Sequence, residues 1–391
     1  MAKLIGSAPN QISTNGDLGS MAFEDRTNYI TKSASVHQPF RNLIINGDMS
    51  IAQRGTSVSG ITSGGSGNFH SVDRMALALS SAGTWTMSQE TDVPSGQGFA
   101  KSVKLLCTTN EPSISSGGYV TFIQKFEGQN LQYLKYGTSN AEKLTLSFWI
   151  KSSKTGNFVA ELANRDRSRY IGRIISINNA DTWEKKTVTY EGYTTANFDN
   201  DNAWSMDVQM WFGSGTSFTS GTYSGVWQSS TSRRASGLDL QLHDTTNANV
   251  YLTGLQLEAG TSASDFEFLP YDVNLDRCIR YYTTSQEVDE WGGFANEDRN
   301  AIFFGRLPNF SNQPCNHRFP KRMRTSPTVT IYSLTGQSGN VSNTTTTAGQ
   351  HSSSDSASAT RISESGIGYI AGLGGASGDG YAFQYEADAE L

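Results

Sequence analysis

Charge is what this chain has least of. Only 17% of its 391 residues are Asp, Glu, Lys or Arg, against about 25% in ordinary soluble domains. The surface is therefore solvated through hydroxyls and amides more than through ion pairs. Proline is scarce, at 9 residues, and cysteine scarcer, at 3. Cys107, Cys278 and Cys315 lie far apart, which excludes a disulfide framework and a CxxC metal site and leaves them as small apolar side chains. No apolar run reaches the about 18 residues of a membrane helix. The opening MAKLIGSAPNQ has no apolar h-region, so neither a membrane span nor a secretion signal is expected. A role outside the cell would then require release by lysis.

Other absences narrow the chemistry. The net charge of −6 lacks the strongly basic footprint of a nucleic-acid binder. The histidines His37, His70, His243, His317 and His351 are dispersed, without HExxH, HxH or a GxSxG elbow, so no catalytic motif is present. Acidic neighbours such as Glu24 with Asp25, Asp289 with Glu290 and Glu297 with Asp298 could serve a glycosidase. Such a site is identified by carboxylate separation in space, and the structural reading is favoured. Repeats of about 20–30 residues, the mark of a parallel β-helix, are missing too.

What is plentiful is Gly, at 39 residues, together with Ser, Thr and Asn, and aromatic residues at 11%. From Asn42 to Pro270 short apolar runs (VDRMALAL, TWTMSQET, AKSVKLLC, YVTFIQKF, LTLSFWIK, NFVAELA, MDVQMWF) alternate with turn formers, the pattern of a sandwich or barrel. Leu144, Leu146, Phe148 and Ile150 alternate with Thr145, Ser147, Trp149 and Lys151. Met206, Val208, Met210 and Phe212 alternate with Ser205, Asp207, Gln209 and Trp211. In each strand the first set is expected in the core and the second outside. GQNLQYLKYG, from Gly128 to Gly137, adds a candidate helical turn.

Leu275, Cys278, Ile279 and Tyr282 recur at i, i+3, i+4 and i+7, which predicts a helix with an apolar stripe, capped by Asp272. Asp276 and Arg280 stand four apart and would pair on its exposed side. Beyond Ser285 IFFGRLP, PTVTIYSL, IGYIAGL and YAFQYEADAEL are strand candidates. Ser333 to Ser363 is nearly all small and polar, and is expected as exposed loops rather than strands packed on neighbours.

Three phrases carry a resemblance. VYLTGLQLEAGTSASDFEFLPYDVNLDRCIRYY (Val250 to Tyr282) and NLIINGDMSIAQRG (Asn42 to Gly55) resemble the end and start of a jelly-roll module found in bacteriophage tail fibres. LGSMAFED resembles the head segment of marine and freshwater (cyanophage-type) fibres, and RFPKRMRTSPTVTIY with the final ADAEL resembles their distal tips. The resemblance implies a mainly β chain in four parts: a virion attachment segment at 1–40, a jelly-roll β-sandwich at 41–271, a connecting helix at 272–285 and a receptor-binding β tip at 286–391. It implies docking on a tail or baseplate protein through Pro9, Asn10, Leu18, Met21 and Phe23, assembly as a homotrimer in the virion, and adhesion to host surface polysaccharide or lipopolysaccharide. The helix residues Leu275, Cys278, Ile279 and Tyr282 would share burial between copies. A floppy terminus is the alternative for residues 1–40.

Candidate glycan contacts follow from chemistry. Trp149 and Trp211 fall on polar strand faces, and an indole stacks on a pyranose while Gln209 and Asp207 bond its hydroxyls. A subunit contact would use the same residues. Arg165, Arg167 and Arg169 would form one basic stripe if NRDRSRY is extended, suited to acidic sugars or phosphates; a solvated edge strand is the plain alternative. Lys321, Arg322 and Arg324 raise the same choice. Trp291 and Phe294 would lie on tip loops that set host choice. NFDNDN, Asn197 to Asn202, offers oxygen ligands for a structural calcium, but lacks EF-hand spacing and reads better as a turn. No cofactor and no enzymatic activity are expected; the rivals are a tailspike-like depolymerase and a cellular carbohydrate-binding module.

Overall fold

The structure, a computed structural model, describes residues 40–62, 68–286, 301–307, 312–343, 354–373 and 379–391. Contacts divide the chain into Met1–Arg41 and Asn42–Leu391, and the fold described is that of the second unit. Pro9, Asn10, Leu18, Met21, Phe23, Trp291, Phe294 and the three acidic pairs lie outside the described residues.

Two six-stranded antiparallel sheets face each other. The first runs β1 (Ser57–Ile61), β4 (Thr84–Glu90), β5 (Ser102–Thr109), β12 (Asn249–Ala259), β7 (Leu144–Ser152), β10 (Glu184–Tyr190). The second runs β2 (Asn68–Phe69), β3 (Ala76–Ser80), β6 (Tyr119–Glu127), β11 (Trp204–Ser214), β8 (Gly156–Asn164), β9 (Arg169–Ile177). The alternation in the sequence sets which face is inside. Leu144, Leu146, Phe148 and Ile150 of β7 and Met206, Val208, Met210 and Phe212 of β11 all lie in one buried cluster between the sheets. Gly128–Asn130 and Gln132–Leu134 form 3-10 turns where a helical turn was expected.

Strand β12 explains why its sequence reads as it does. Val250 and Leu252 are buried at even positions, then Leu255 and Leu257 at odd ones. The switch occurs at a bulge: Thr253 pairs with Trp149, but Gln256 pairs with Ser147. Two residues there oppose one, which reverses the faces. Gly254 sits in the bulge at φ 64°, and a Cβ on it would lie 2.6 Å from the Phe99 ring. Gly254→Ala is therefore expected to destabilise the fold by about 2 kcal/mol through left-handed backbone strain and the clash. Urea denaturation checks this, and an unchanged midpoint would refute the steric account.

The two ends of the sandwich are stitched together. Leu43 N–H donates to Leu257 O at 2.9 Å and Leu255 N–H to Gly47 O at 2.9 Å. Asn42 donates through Nδ2 to Leu255 O at 3.0 Å and accepts from Leu257 N–H at 3.0 Å.

The helix is α1 (Tyr271–Ile279), shorter than expected. Pro270, not Asp272, holds the cap position, and Asp272 lies in the first turn. Tyr282 belongs to β13 (Tyr282–Thr284). The deeply buried helix residues are Asn274 and Cys278, whereas Leu275 and Ile279 are half-buried. Asn274 bonds Asn46 N–H, Asp48 and Ser50 within the same chain. Arg280 does not pair with Asp276: it reaches Glu127, while Asp276 meets Lys321 at 3.3 Å. A deep carboxylate on the sandwich outcompetes a solvent-exposed one on the same helix.

Beyond α1 come β14 (Ile302–Gly305), β15 (Asn312–Arg318), β16 (Thr328–Tyr332), β17 (Asn340–Asn343), β18 (Ser354–Ser356), β19 (Ser358–Ser363), β20 (Gly366–Ala371) and β21 (Gly380–Asp388). β21 is the hub, pairing with β13, β14, β16 and β17, while β15, β20 and β19 form a separate sheet. Ile331, Val341, Ile367, Ile370, Phe383 and Tyr385 make a second buried cluster. The Ser333 to Ser363 stretch is thus not all loop. β17, β18 and β19 lie in it, with Val341 and Ala357 buried, because small residues fit under neighbouring aromatics without lengthy apolar side chains.

This second region is clasped to the sandwich by cations. Arg74 is 1% exposed, pairs with Glu390, donates to Lys125 O at 2.8 Å and stacks 3.5 Å from the Tyr281 ring centre. Arg54 lies 3.7 Å over Tyr282 and pairs with Asp388 at 3.2 Å. Glu127 accepts from Arg280 and from the Tyr281 hydroxyl. Arg324, for which a basic stripe and a solvated edge strand were the two alternatives, is neither: it donates to Asn202 O, Ala389 O and Glu390 O.

Candidate functional site

The outer face of the second sheet carries the chemistry. On β11 the side chains of Asp207, Gln209 and Trp211 point away from the core. Opposite them on β6 stand Lys125, Ile123 and Thr121, and on β8 Ala163, Glu161 and Val159. The chain leaving β11 folds back over this face through a helical turn at Thr216–Thr219 and another at Thr231–Arg233. Phe218 thereby packs 5.1 Å from Trp211 and 5.7 Å from Tyr119, and Ala235 closes the cluster.

Between this cover and the open part of the sheet lies a cleft of about 340 Å³. Its walls include Ile123, Phe218 and Trp204, and its polar lining includes Arg165, Gln209 and Arg234. Trp204 reaches this face through a bulge: it pairs with Glu127, and Met206 with the adjacent Phe126. The extra residue turns Trp204 outward, although its parity with Met206 and Val208 would send it to the core.

Two buried ion pairs form the floor. Arg234 donates through Nε to Glu161 Oε1 at 3.0 Å and through Nη2 to Glu161 Oε2 at 2.7 Å. The same Nη2 meets Gln209 Oε1 at 3.2 Å, and Trp211 Nε1 donates to Glu161 at 3.3 Å. Arg165 clamps Asp207 through Nε and Nη2, and Trp204 Nε1 donates to Asp207 Oδ2 at 2.9 Å. Both carboxylates have side chains 0% exposed, the arginines 11% and 21%. The acids lie behind and the guanidinium groups in front. Burial pushes the Glu161 carboxyl up, with Arg234 opposing. Burial works against the Arg165 charge, yet Asp207 holds it above its ordinary value.

Trp204 is framed by cations: the Arg165 guanidinium lies 4.7 Å from its ring centre and Lys125 Nζ 4.4 Å. Burial lowers Lys125 to about 8, opposed by Asp207.

The structure brings together Trp211, Gln209, Asp207 and Arg165 of the residues singled out from sequence, with changed roles. Trp211 is 2% exposed, so it supports the floor instead of offering an open platform. Asp207 is spent on Arg165 and Trp204. Trp149 sits half-buried on the first sheet, opposite Thr253 and Lys185, away from the cleft. The arginine stripe does not form, because residues 165–168 are the turn between β8 and β9. Arg167 pairs with Asp199, and Arg169, the first residue of β9, donates to the Arg167 and Ser168 carbonyls of that turn. NFDNDN serves as a turn, with Phe198 buried and stacked 4.8 Å from Tyr136. Among the described residues no cluster of three His, Cys, Asp or Glu with metal-binding geometry occurs. Trp204, Arg234, Phe218 and Tyr119 were missed. A Trp at the first position of β11 was the available signal for Trp204; Arg234 had none.

No family model and no curated protein matches the chain. Among solved structures, the enzymatically active domain of tailspike protein 4 of bacteriophage CBA120 is similar at 13% identity and TM-score 0.29, over 57% of this chain and 22% of that one. The chain thus spans about a fifth of that domain's length. The carbohydrate-binding module TmCBM61, in complex with β-1,4-galactotriose, is similar at 9% identity and TM-score 0.28, over 56% and 99%. The CBM22-1–GH10 modules of Clostridium thermocellum xylanase 10B are similar at 10% identity and TM-score 0.26, over 57% and 29%. Likeness at this level transfers no function to this chain.

Proposed function

We propose that this chain is a non-hydrolytic adhesin of the phage tail-fibre kind, which holds host surface glycan in the cleft on its second sheet. The observation that carries the glycan reading is the cleft, where the Trp204 and Phe218 rings flank fixed polar groups of Gln209, Arg165 and Arg234. Apolar rings beside a few oriented hydrogen-bonding groups are what a sugar site requires. The tail-fibre reading, with an N-terminal tail or baseplate anchor, a homotrimeric rod and a place in the virion, is supported by the phrases at Asn42 to Gly55, Val250 to Tyr282 and Arg318 to Tyr332. In a trimer, weak contacts would add through effective concentration.

Binding without cleavage is favoured by the state of the two acids. Glu161 and Asp207 could suggest a glycosidase pair, which makes a tailspike-like depolymerase the second reading. Both are sealed and already accept N–H groups from arginine and tryptophan, which leaves neither carboxyl open to a glycosidic oxygen. New reducing ends on incubation with host capsule would overturn this.

Affinity electrophoresis against host surface polysaccharide tests the site. Trp204→Ala is expected to weaken retention at least about tenfold, roughly 1.4 kcal/mol, and Trp204→Phe to retain most of it. Equal retention of wild type and Trp204→Ala rejects the cleft. Sedimentation showing a monomer at all concentrations rejects the fibre.

A further inference from the structure

We propose that the cleft selects sugars bearing a carboxylate, a specificity that rests on the glycan reading above. The ground is which polar atoms remain once the floor has paired with itself. Gln209 Oε1 is taken by Arg234. Glu161 is taken by Arg234 and Trp211, and Asp207 by Arg165 and Trp204. Neither acid lines the cleft. Arg165 Nη1, Arg234 Nη1 and Gln209 Nε2 keep N–H groups without a protein partner among the described residues, and none of these atoms is sealed from solvent. Facing the ligand, the lining offers donors from two guanidinium groups and one amide, with the Thr121 and Tyr119 hydroxyls as the groups able to act either way.

A neutral sugar ring presents hydroxyls, each of which seeks both a donor and an acceptor. A donor-rich, acceptor-poor lining leaves hydroxyl protons unmatched, and an unmet polar group in a desolvated site lowers affinity. A carboxylate presents acceptors alone, and guanidinium groups suit its planar geometry. The arginines are held in place by Asp207 and Glu161, so little side-chain freedom is lost on binding. The cleft lies near the lower end of the about 300–1,000 Å³ range of small-molecule sites, which fits a short stretch of glycan.

The test compares the full chain on polygalacturonate, alginate, hyaluronan and polysialate with the same polymers after carbodiimide–borohydride reduction of their carboxyl groups, alongside neutral galactan and a phosphomannan. At least one acidic polymer is expected to bind, with affinity falling at least about tenfold on reduction and several-fold on raising NaCl from 0.02 to 0.5 M, because charge contacts near the surface are screened. Gln209→Glu, which keeps the oxygen that accepts from Arg234 and replaces the amide donor with a second anionic oxygen, is expected to lower acidic-polymer binding at least about tenfold at unchanged melting temperature. If that variant melts early, the reduced polymers alone decide. Equal binding before and after reduction, binding confined to neutral galactan, or binding confined to phosphomannan overturns the carboxylate assignment while the glycan reading stands. Binding to no polymer overturns the glycan reading and this inference together.

Discussion

Arg234→Met is expected to destabilise the sandwich by about 3–5 kcal/mol, because it strips the counterion from a buried carboxylate. Glu161 is 0% exposed and would keep the Trp211 N–H alone, where it now also has Arg234. The pH dependence gives the cause away. Burial already raises the Glu161 carboxyl in the folded state, and loss of Arg234 raises it further. A group raised on folding contributes stability that is present below its unfolded value and lost as pH rises through its folded value. The variant should therefore lag wild type most near pH 8 and recover as pH falls toward about 4.3, the ordinary glutamate value. Arg234→Met with Glu161→Gln should regain most of the loss at neutral pH, since a neutral amide needs no counterion. Urea midpoints at several pH values for the two variants check this; a pH-independent deficit that the second change does not relieve would mean that lost packing on Tyr170 and Trp211, 4.2 and 5.0 Å from the guanidinium, is the whole effect.

Arg74→Met is the second large change. Its guanidinium joins Glu390 of the second region to Lys125 O of the sandwich while covering Tyr281. Without it Glu390, only 5% exposed, keeps Arg54 at 3.4 Å as its cation. A loss of about 3 kcal/mol is expected, on the scale of a broken buried pair. The loss should fall on the junction, not on either core, because the two buried clusters do not share residues. Calorimetry should accordingly show one wild-type transition becoming two, with the strands around β21 melting first. A single transition lowered as a whole would show that Arg74 stabilises the sandwich alone.

Fold class was legible because β7 and the Met206–Phe212 stretch of β11 alternate in sequence, so parity alone assigned their inner faces. It failed where a bulge intervened. Trp204 shares parity with Met206, yet one extra residue turned it into the cleft. The arginines at 165, 167 and 169 share a face only if their segment is extended, and four consecutive turn residues between β8 and β9 scatter them. Arg234 was invisible because loop residues acquire a site only through tertiary folding: the chain from 215 to 235 has no periodicity that says it will return over β11. The strands between Ser333 and Ser363 escaped for the opposite reason, since small polar residues carry no apolar signal even when covered. The helix stripe was partly legible. Cys278 is buried as expected, but the stripe ends at Ile279, and Asn274 takes an inner place through hydrogen bonds that hydrophobic periodicity does not register.

The clasp and the stitch together place both extremities of the 42–391 stretch against the sandwich, with residues 42–43 held by Leu255 and Leu257 and residues 388–390 by Arg54 and Arg74. Fraying, the cheapest opening motion of most chains, is opposed at both places by these contacts. Amide protons of Leu43 and Ala389, each paired to a distant carbonyl, should then exchange with deuterium as slowly as those in mid-strand, and proteases should nick interior loops before they trim either extremity of that stretch.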